Sequence, residues 1–272
     1  VDKGELFCQS RDVADILQQI VEHKRTEVEA ARRAVPPGVL EQRLSAAPPV
    51  RDFVGALRAA HPMGLVAEIK RASPSAGLIR ADFDPISIAH TYAAHGAACL
   101  SVLTDARYFQ GQLGDLVKVR AAVNIPVLRK DFLIDPYQVV EARAAGADCV
   151  LLIAECLNDQ ELRSLYGEAR ALGMSVLIEL YELSNVDRVL ALDPPLMGVN
   201  NRDLRTMTTD LAHCLAVRQR VPRDILLVAE SGIRTRSEVV RLQEAGIHAM
   251  LVGESLMRAD DVGAAVDGLL GR

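Results

Sequence analysis

The stretch Ala145–Ile153, AGADCVLLI, decides what kind of fold this chain makes. A glycine closes a pattern of helical apolar period, and an unbroken run of Cys, Val, Leu and Ile follows. That is a helix stop feeding a strand buried on both faces. The pattern recurs at His95–Leu103 (HGAACLSVL) and Ala245–Gly253 (AGIHAMLVG), so Gly96, Gly146 and Gly246 stand 50 and 100 residues apart. Gly173 begins a further copy, GMSVLIEL, 27 residues beyond Gly146. A step of roughly 25 residues accommodates one strand plus one helix.

Counting on that step predicts strands at Leu65–Lys70, Cys99–Leu103, Val127–Arg129, Cys149–Ile153, Ser175–Leu180, Leu196–Asn200, Ile225–Ala229 and Ala249–Val252. Amphipathic helices lie between them, as at Gln160–Leu172 and Ser237–Ala245. Eight such units predict an α/β protein, a single (β/α)₈ TIM barrel. A doubly wound open sheet is the competitor, but it would carry fewer strands and a GxGxxG turn, which the chain lacks. The first 60 residues do not follow the repeat. Asp12–Ala34 puts Ile16, Leu17, Ile20, Val21 and Val28 on one helical stripe and stops at Pro36-Pro37-Gly38, and a shorter helix is expected at Asp52–Ala60. Neither makes a core alone, so residues 1–272 are read as one barrel domain whose residues 1–60 form a helical N-terminal extension packed on it.

Composition excludes several functions. A net charge of −5 argues against a nucleic-acid partner. No apolar run approaches a membrane span, and the N-terminus shows no basic-plus-apolar leader. Cys8, Cys99, Cys149, Cys156 and Cys214 are scattered without a CxxC pair, which predicts reduced thiols and a cytoplasmic protein. No HxH, HExxH or nucleotide motif is present, so neither metal nor cofactor is expected. A monomer is the expected state.

In this fold the chemistry sits at the C-terminal strand ends, and the polar residues of the chain gather there. The first predicted strand ends Glu68-Ile69-Lys70 and leads into Ser73. The third leads into Lys130-Asp131, the fifth ends at Glu179, and the sixth runs into Asn200-Asn201-Arg202. The seventh leads into Glu230-Ser231-Gly232 and the eighth into Gly253-Glu254-Ser255. Glu68 and Lys70, two apart on a strand, point to one side. A structural salt-bridge network is the alternative reading of these ions, but several buried charges are costly to assemble for packing alone. Turns of the SG and GES type after strands seven and eight suit a phosphate, which approaches backbone N–H groups closely where no side chain blocks it. Glu254 would repel a phosphate, so its side chain is expected to point away. Arg71–Pro85 (RASPSAGLIRADFDP) is long for such a loop and is read as a lid, with a plain solvent loop as the alternative. In PVLRKDFLID, Arg129 is expected to leave the mouth and pair with a carboxylate, Lys130 to face the substrate, and Asp131 to orient the loop or pair with a cation.

These residues resemble a known family. ILQQIVEHKRTEV, EIKRASPSAG, SVLTDARYFQG, VLRKDF, VLIEL, GVNNRDL, AESGI and LVGESLM follow in order over nearly the whole chain, as in indole-3-glycerol-phosphate synthases of tryptophan biosynthesis. The resemblance implies a carboxy-lyase that takes a small phosphorylated substrate, 1-(2-carboxyphenylamino)-1-deoxyribulose 5-phosphate. The products are indole-3-glycerol phosphate, CO₂ and water. It implies Lys130 as general acid, Glu179 in proton transfer during dehydration, Glu68 in support, Lys70 near the phosphate and hydroxyl end, and Asn200 on the reacting chain. It also implies Arg202 near the anthranilate carboxylate, Ser73, Ser231, Gly232 and Gly253 around the phosphate, Glu230 in the substrate-binding set, and Phe109 and Phe132 against the benzene ring. Two other classes stay open at this level. A Schiff-base aldolase would use Lys130 as nucleophile, and a sugar-phosphate sensor would bind without turnover.

Overall fold

Four helix stops organise the chain. Gly96, Gly146, Gly173 and Gly246 all have φ between +79° and +91°, a left-handed conformation that glycine adopts without strain. Each closes a Schellman cap: the Gly146 N–H donates to Arg143 and the Ala147 N–H to Ala142, at 3.0 and 2.9 Å, and the other three repeat this pattern. The chain leaves each cap directly into a strand. The computed structural model describes residues 13–272 apart from 204, 205 and 207; the expectations for Cys8 and Asp12 lie outside the described residues.

The strands are β1 (Gly64–Ile69), β2 (Cys99–Leu103), β3 (Val127–Lys130), β4 (Cys149–Ile153), β5 (Ser175–Leu180), β6 (Leu196–Asn200), β7 (Leu226–Glu230) and β8 (Ala249–Val252). All pair in parallel with their sequence neighbours, and β8 closes on β1 through Gly64↔Ala249. This is the predicted (β/α)₈ barrel. Three C-terminal strand ends differ from expectation, and β1 and β7 also begin one residue away from it, at Gly64 and Leu226. β1 stops at Ile69, because the chain turns at Arg71 into a short hairpin, Ala72–Ser73 with Gly77–Leu78. β3 and β7 each extend one residue further, so Lys130 and Glu230 are strand residues with a fixed direction. Two helices begin earlier than their apolar period indicates, at Asp159 and Arg236, because Asn158…Glu161 and Thr235…Glu238 form reciprocal capping boxes.

Alternation along the strands sorts the side chains. Val66, Cys99, Leu128, Cys149, Leu151, Leu177, Leu196, Val228, Ala249 and Leu251 fill the barrel. Their neighbours, such as Leu65, Leu100, Val102, Val127, Val150, Met197 and Val199, pack outward under the helices. The interior is aliphatic, so the lower part of the barrel is a packed core and the upper layer alone is polar. The bottom is closed by α3 (Phe53–Ala59), which follows α1 (Val13–Ala34) and α2 (Pro37–Leu44). Asp52 caps α3 by accepting from the Gly55 N–H at 2.8 Å, and Phe53 and Leu57 are fully buried among the inner residues. Truncating Phe53 to Ala there would cost about 3–5 kcal/mol.

α1 lies along the barrel near the opposite end. Its stripe of Ile20, Lys24 and Val28 is buried, and Arg32 and Arg33 in its last turn suit the negative end of the helix. Tyr137, on the helix Pro136–Ala144, donates its hydroxyl to the Ala31 and Val35 carbonyls at 3.1 and 3.0 Å and so fixes that end. Among the described residues no helix is long and apolar enough to cross a membrane.

Candidate active site

Above the aliphatic core, the inward positions of the strands turn polar within one layer. Glu68 on β1, Lys130 on β3, Glu179 on β5, Asn200 on β6 and Glu230 on β7 all border a cavity of about 760 Å³ at the C-terminal mouth. The other residues expected there, Lys70, Ser73, Phe109, Phe132, Arg202, Ser231, Gly232 and Gly253, border it too. The chain thus brings every expected site residue to one place.

At its centre the Lys130 Nζ donates to Glu179 Oε2 at 2.5 Å and to Glu230 Oε2 at 2.8 Å. Burial by itself would favour neutral lysine, but Glu179, Glu230 and Glu68 outweigh it and hold Lys130 above the ordinary lysine value. Burial likewise pushes Glu179 upward; the adjoining Lys130 ammonium overrides that and keeps it an anion. Asn200 Nδ2 donates to Glu179 Oε1 at 3.2 Å and so orients it. Glu230 is different. Burial raises it, Lys130 pulls it down, Glu179 adds repulsion, and the balance is a carboxyl pushed up to about 8. Among the described residues its Oε1 finds no hydrogen-bond partner, and it lies 2.2 Å from where a Cβ on Gly198 would stand. Gly198 on β6 is therefore the space into which Glu230 fits. Across the mouth, Lys70 and Glu68 form a second pair at 2.6 Å.

Aromatic residues stand on one side and small turn residues on the other. Phe109, at the end of the short helix Ala106–Phe109 after β2, and Phe132, just after β3, have ring centroids 6.2 Å apart. Ile16, Leu17 and Ile20 of α1 complete this apolar wall. Around the barrel, Ser231 and Gly232 follow β7 with φ of 65° and 79°. Gly253 caps the short helix Glu254–Met257 after β8. Its bare Cα also makes room for Glu68, whose Oε2 would lie 2.1 Å from an added Cβ. The hairpin after β1 reaches over the mouth, where Ser75 Oγ accepts from Arg202 Nη1 at 3.0 Å. Arg80 donates to the Met257 and Ala259 carbonyls and holds the hairpin's far end.

One expectation is corrected. Glu254 does not turn away; its carboxylate lies between Arg258 at 3.1 Å and Arg202 at 3.6 Å, where two guanidiniums offset its charge. Glu230, expected only in the substrate-binding set, is a direct partner of Lys130. Arg129 leaves the mouth as expected, meeting Glu141 at 2.8 Å and Asp131 at 3.3 Å. Asp131 is held by cations, Arg129 and also Lys24, whose Nζ lies 2.9 Å from its Oδ1. The sequence reading missed Lys24, although its place between Ile20 and Val28 on the buried stripe of α1 was a usable signal.

A closed parallel barrel whose strand ends converge lysines and glutamates on one cavity defines a (β/α)₈-barrel enzyme of the acid–base type. Comparisons with known proteins narrow this. Residues 17–269 match the family model described as indole-3-glycerol phosphate synthase. Proteins of that name from Rhodopirellula baltica (52% identical, covering 94% of this chain and 98% of that protein) and Acidithiobacillus ferrooxidans (50%, covering 94% and 99%) align over most of both chains. The chain belongs to the indole-3-glycerol phosphate synthase family, carboxy-lyases of tryptophan biosynthesis. More distant solved structures share the fold. A 3-hexulose-6-phosphate synthase has a TM-score of 0.63 at 18% identity, covering 77% of this chain and 99% of that one. The N-acetylmannosamine-6-phosphate 2-epimerase from Clostridium perfringens has a TM-score of 0.58 at 13%, covering 75% and 90%.

Proposed function

We propose that this cavity closes the indole ring of 1-(2-carboxyphenylamino)-1-deoxyribulose 5-phosphate, with Lys130 as the acid. The observation that carries the reading is an ammonium held between two buried carboxyl groups, Glu179 and Glu230, inside a cavity with an apolar wall beside it. The ring carbon that bears the carboxylate attacks the sugar ketone. A carbon–carbon bond forms while Lys130 delivers a proton to the ketone oxygen, which becomes a hydroxyl. Loss of CO₂ returns its bonding pair to the ring and restores aromaticity. The new hydroxyl then leaves as water, with a proton from the neighbouring carbon next to nitrogen, and indole-3-glycerol phosphate remains.

The residues divide along these steps. Glu230, protonated at neutral pH and 2.8 Å from Lys130, can return the proton that Lys130 gives up. Glu179, an oriented anion, suits the proton removal of dehydration, and the Glu68–Lys70 pair supports the departing hydroxyl. Phe109 and Phe132 hold the benzene ring. Ser73, Ser231, Gly232 and Gly253 receive the phosphate. Arg202 meets the substrate carboxylate loosely, because it is shared with Ser75 and Glu254, and a carboxylate that must leave gains nothing from tight binding.

A lysine kept charged beside the anionic Glu179 is a poor amine nucleophile, so this reading is preferred to a Schiff-base aldolase; borohydride with a ketose phosphate should leave no adduct on Lys130. Free cysteines at 99, 149, 156 and 214 and a net charge of −5 support a cytoplasmic enzyme with no nucleic-acid partner. The large exposed apolar residues, Val39, Leu78, Ile86, Val117 and Leu183, are scattered over separate elements and support a monomer. We read the chain as one domain, residues 1–60 being its extension. Indole fluorescence tests the assignment against a low background, since the chain has no Trp. The wild type should turn over and Lys130→Met should lose about 10²–10⁴-fold in kcat. An inactive wild type would refute the substrate, and a fully active variant would refute the acid.

A further inference from the structure

Behind the apolar wall lies a second buried lysine that the reaction does not use. Lys24 sits on α1, is only 3% exposed and does not border the cavity. Its Nζ lies 2.8 Å from Asp105 Oδ2 and 2.9 Å from Asp131 Oδ1, with Glu27 at 2.6 Å as its remaining partner. The two aspartates belong to adjacent strand ends: Asp105 follows β2 and Asp131 follows β3. Each also holds the backbone that carries a ring. Asp105 Oδ1 accepts from the Tyr108 N–H at 2.7 Å, one residue before Phe109, and so caps the helix that ends in it. Asp131 Oδ1 accepts from the Phe132 N–H itself at 2.8 Å. Thr104 fixes the other oxygen of Asp131 at 2.6 Å.

We infer that Lys24 is a positioning residue for the aromatic wall: one ammonium from the N-terminal helix clamps two strand ends so that Phe109 and Phe132 stand at the separation the substrate ring needs. The inference rests on the reading above that these rings bind the substrate's benzene ring. Burial opposes the charge of Lys24, but Asp131 and Asp105 more than compensate, so the clamp stays ionised. The same α1 turn brings Ile16, Leu17 and Ile20 to the cavity, which makes the helix a wall of the site as well as its fastener.

Steady-state kinetics of Lys24→Met separate this role from a structural one. A folding defect reduces the active fraction and therefore kcat, leaving KM unchanged. Loss of positioning should raise KM by about tenfold with kcat held within about twofold. Inhibition by inorganic phosphate, which probes the far side of the site, should stay the same. Asp105→Asn, which retains a helix cap for Tyr108 but weakens the ionic tie, should raise KM in the same direction should Lys24→Met prove too unstable to assay. Phe132→Ala serves as the check on the underlying reading. If Phe132→Ala raises KM and neither clamp variant does, Lys24 does not position the wall. If Phe132→Ala itself leaves KM unchanged, the aromatic-wall reading falls and this inference with it.

Discussion

Two lysines in this barrel have nearly the same surroundings. Lys130 stands between Glu179 and Glu230 at 2.5 and 2.8 Å, and Lys24 between Asp105 and Asp131 at 2.8 and 2.9 Å. Both are held above the ordinary lysine value by carboxylates that outweigh burial. They differ in how completely those carboxylates are satisfied. Asp131 accepts from Lys24, Arg129, Thr104 and the Phe132 amide, and despite burial it is kept below the ordinary aspartate value. Glu230 has Lys130 on one oxygen and, among the described residues, no hydrogen-bond partner on the other. A saturated pair locks structure, whereas an under-satisfied pair beside a cavity keeps a proton to move.

That contrast can be broken most decisively by exchanging the two ammoniums for methionine. Lys130→Met, near-inactive in the fluorescence assay, should lose less in urea than Lys24→Met, because it strands one buried anion, Glu179, whereas Glu230 already carries a proton there. Lys24→Met should lose about 3–5 kcal/mol in the same titration, as buried Asp105 and Asp131 lose the ammonium between them. The reverse ranking would erase the distinction. Gly198→Ala is the next largest effect: its methyl would displace Glu230, and kcat should fall on the order of 10²-fold. An unaffected kcat would mean that the position of Glu230 is irrelevant.

The proton on Glu230 leaves a weaker trace in stability. A carboxyl whose value rises from 4.5 to about 8 on folding binds its proton more tightly in the native state. Its stabilising contribution is complete below 4.5 and is lost as the pH climbs through about 8. Urea midpoints of the wild type should therefore decline across that window more steeply than those of Glu230→Gln; parallel curves would show Glu230 to be ionised and remove its difference from Asp131. The smallest effect belongs to the exposed end of α1, where Arg32 meets Asp135 at 2.5 Å in solvent. Arg32→Ala should cost less than about 1 kcal/mol, against which the loss at Lys24 sharpens the case that α1 is fastened from within.

Much of the site was legible because strand periodicity carries direction. Once the third strand is recognised, Lys130 and Arg129 must face opposite ways, and they do, toward Glu179 and Glu141. That the segment after β1 is more than a tight turn was legible from its length alone. Glu254 was misread because its partner, Arg202, is 52 positions away in the sequence and the two meet only over the closed mouth. Lys24 was overlooked for the same reason: its partners lie 81 and 107 positions downstream.

By itself the sequence determined the barrel, its eight strand positions to within a residue, the stops that separate helix from strand, and the polar residues at the strand ends. All of these follow from local propensity, periodicity and cap chemistry within a repeat. Only the tertiary structure decided which carboxylate met which ammonium, that Glu230 fits into the space of a missing Gly198 side chain, and that the N-terminal helix reaches the site. Those outcomes depend on burial and on pairwise distances across the closed barrel, which no pattern along the chain contains.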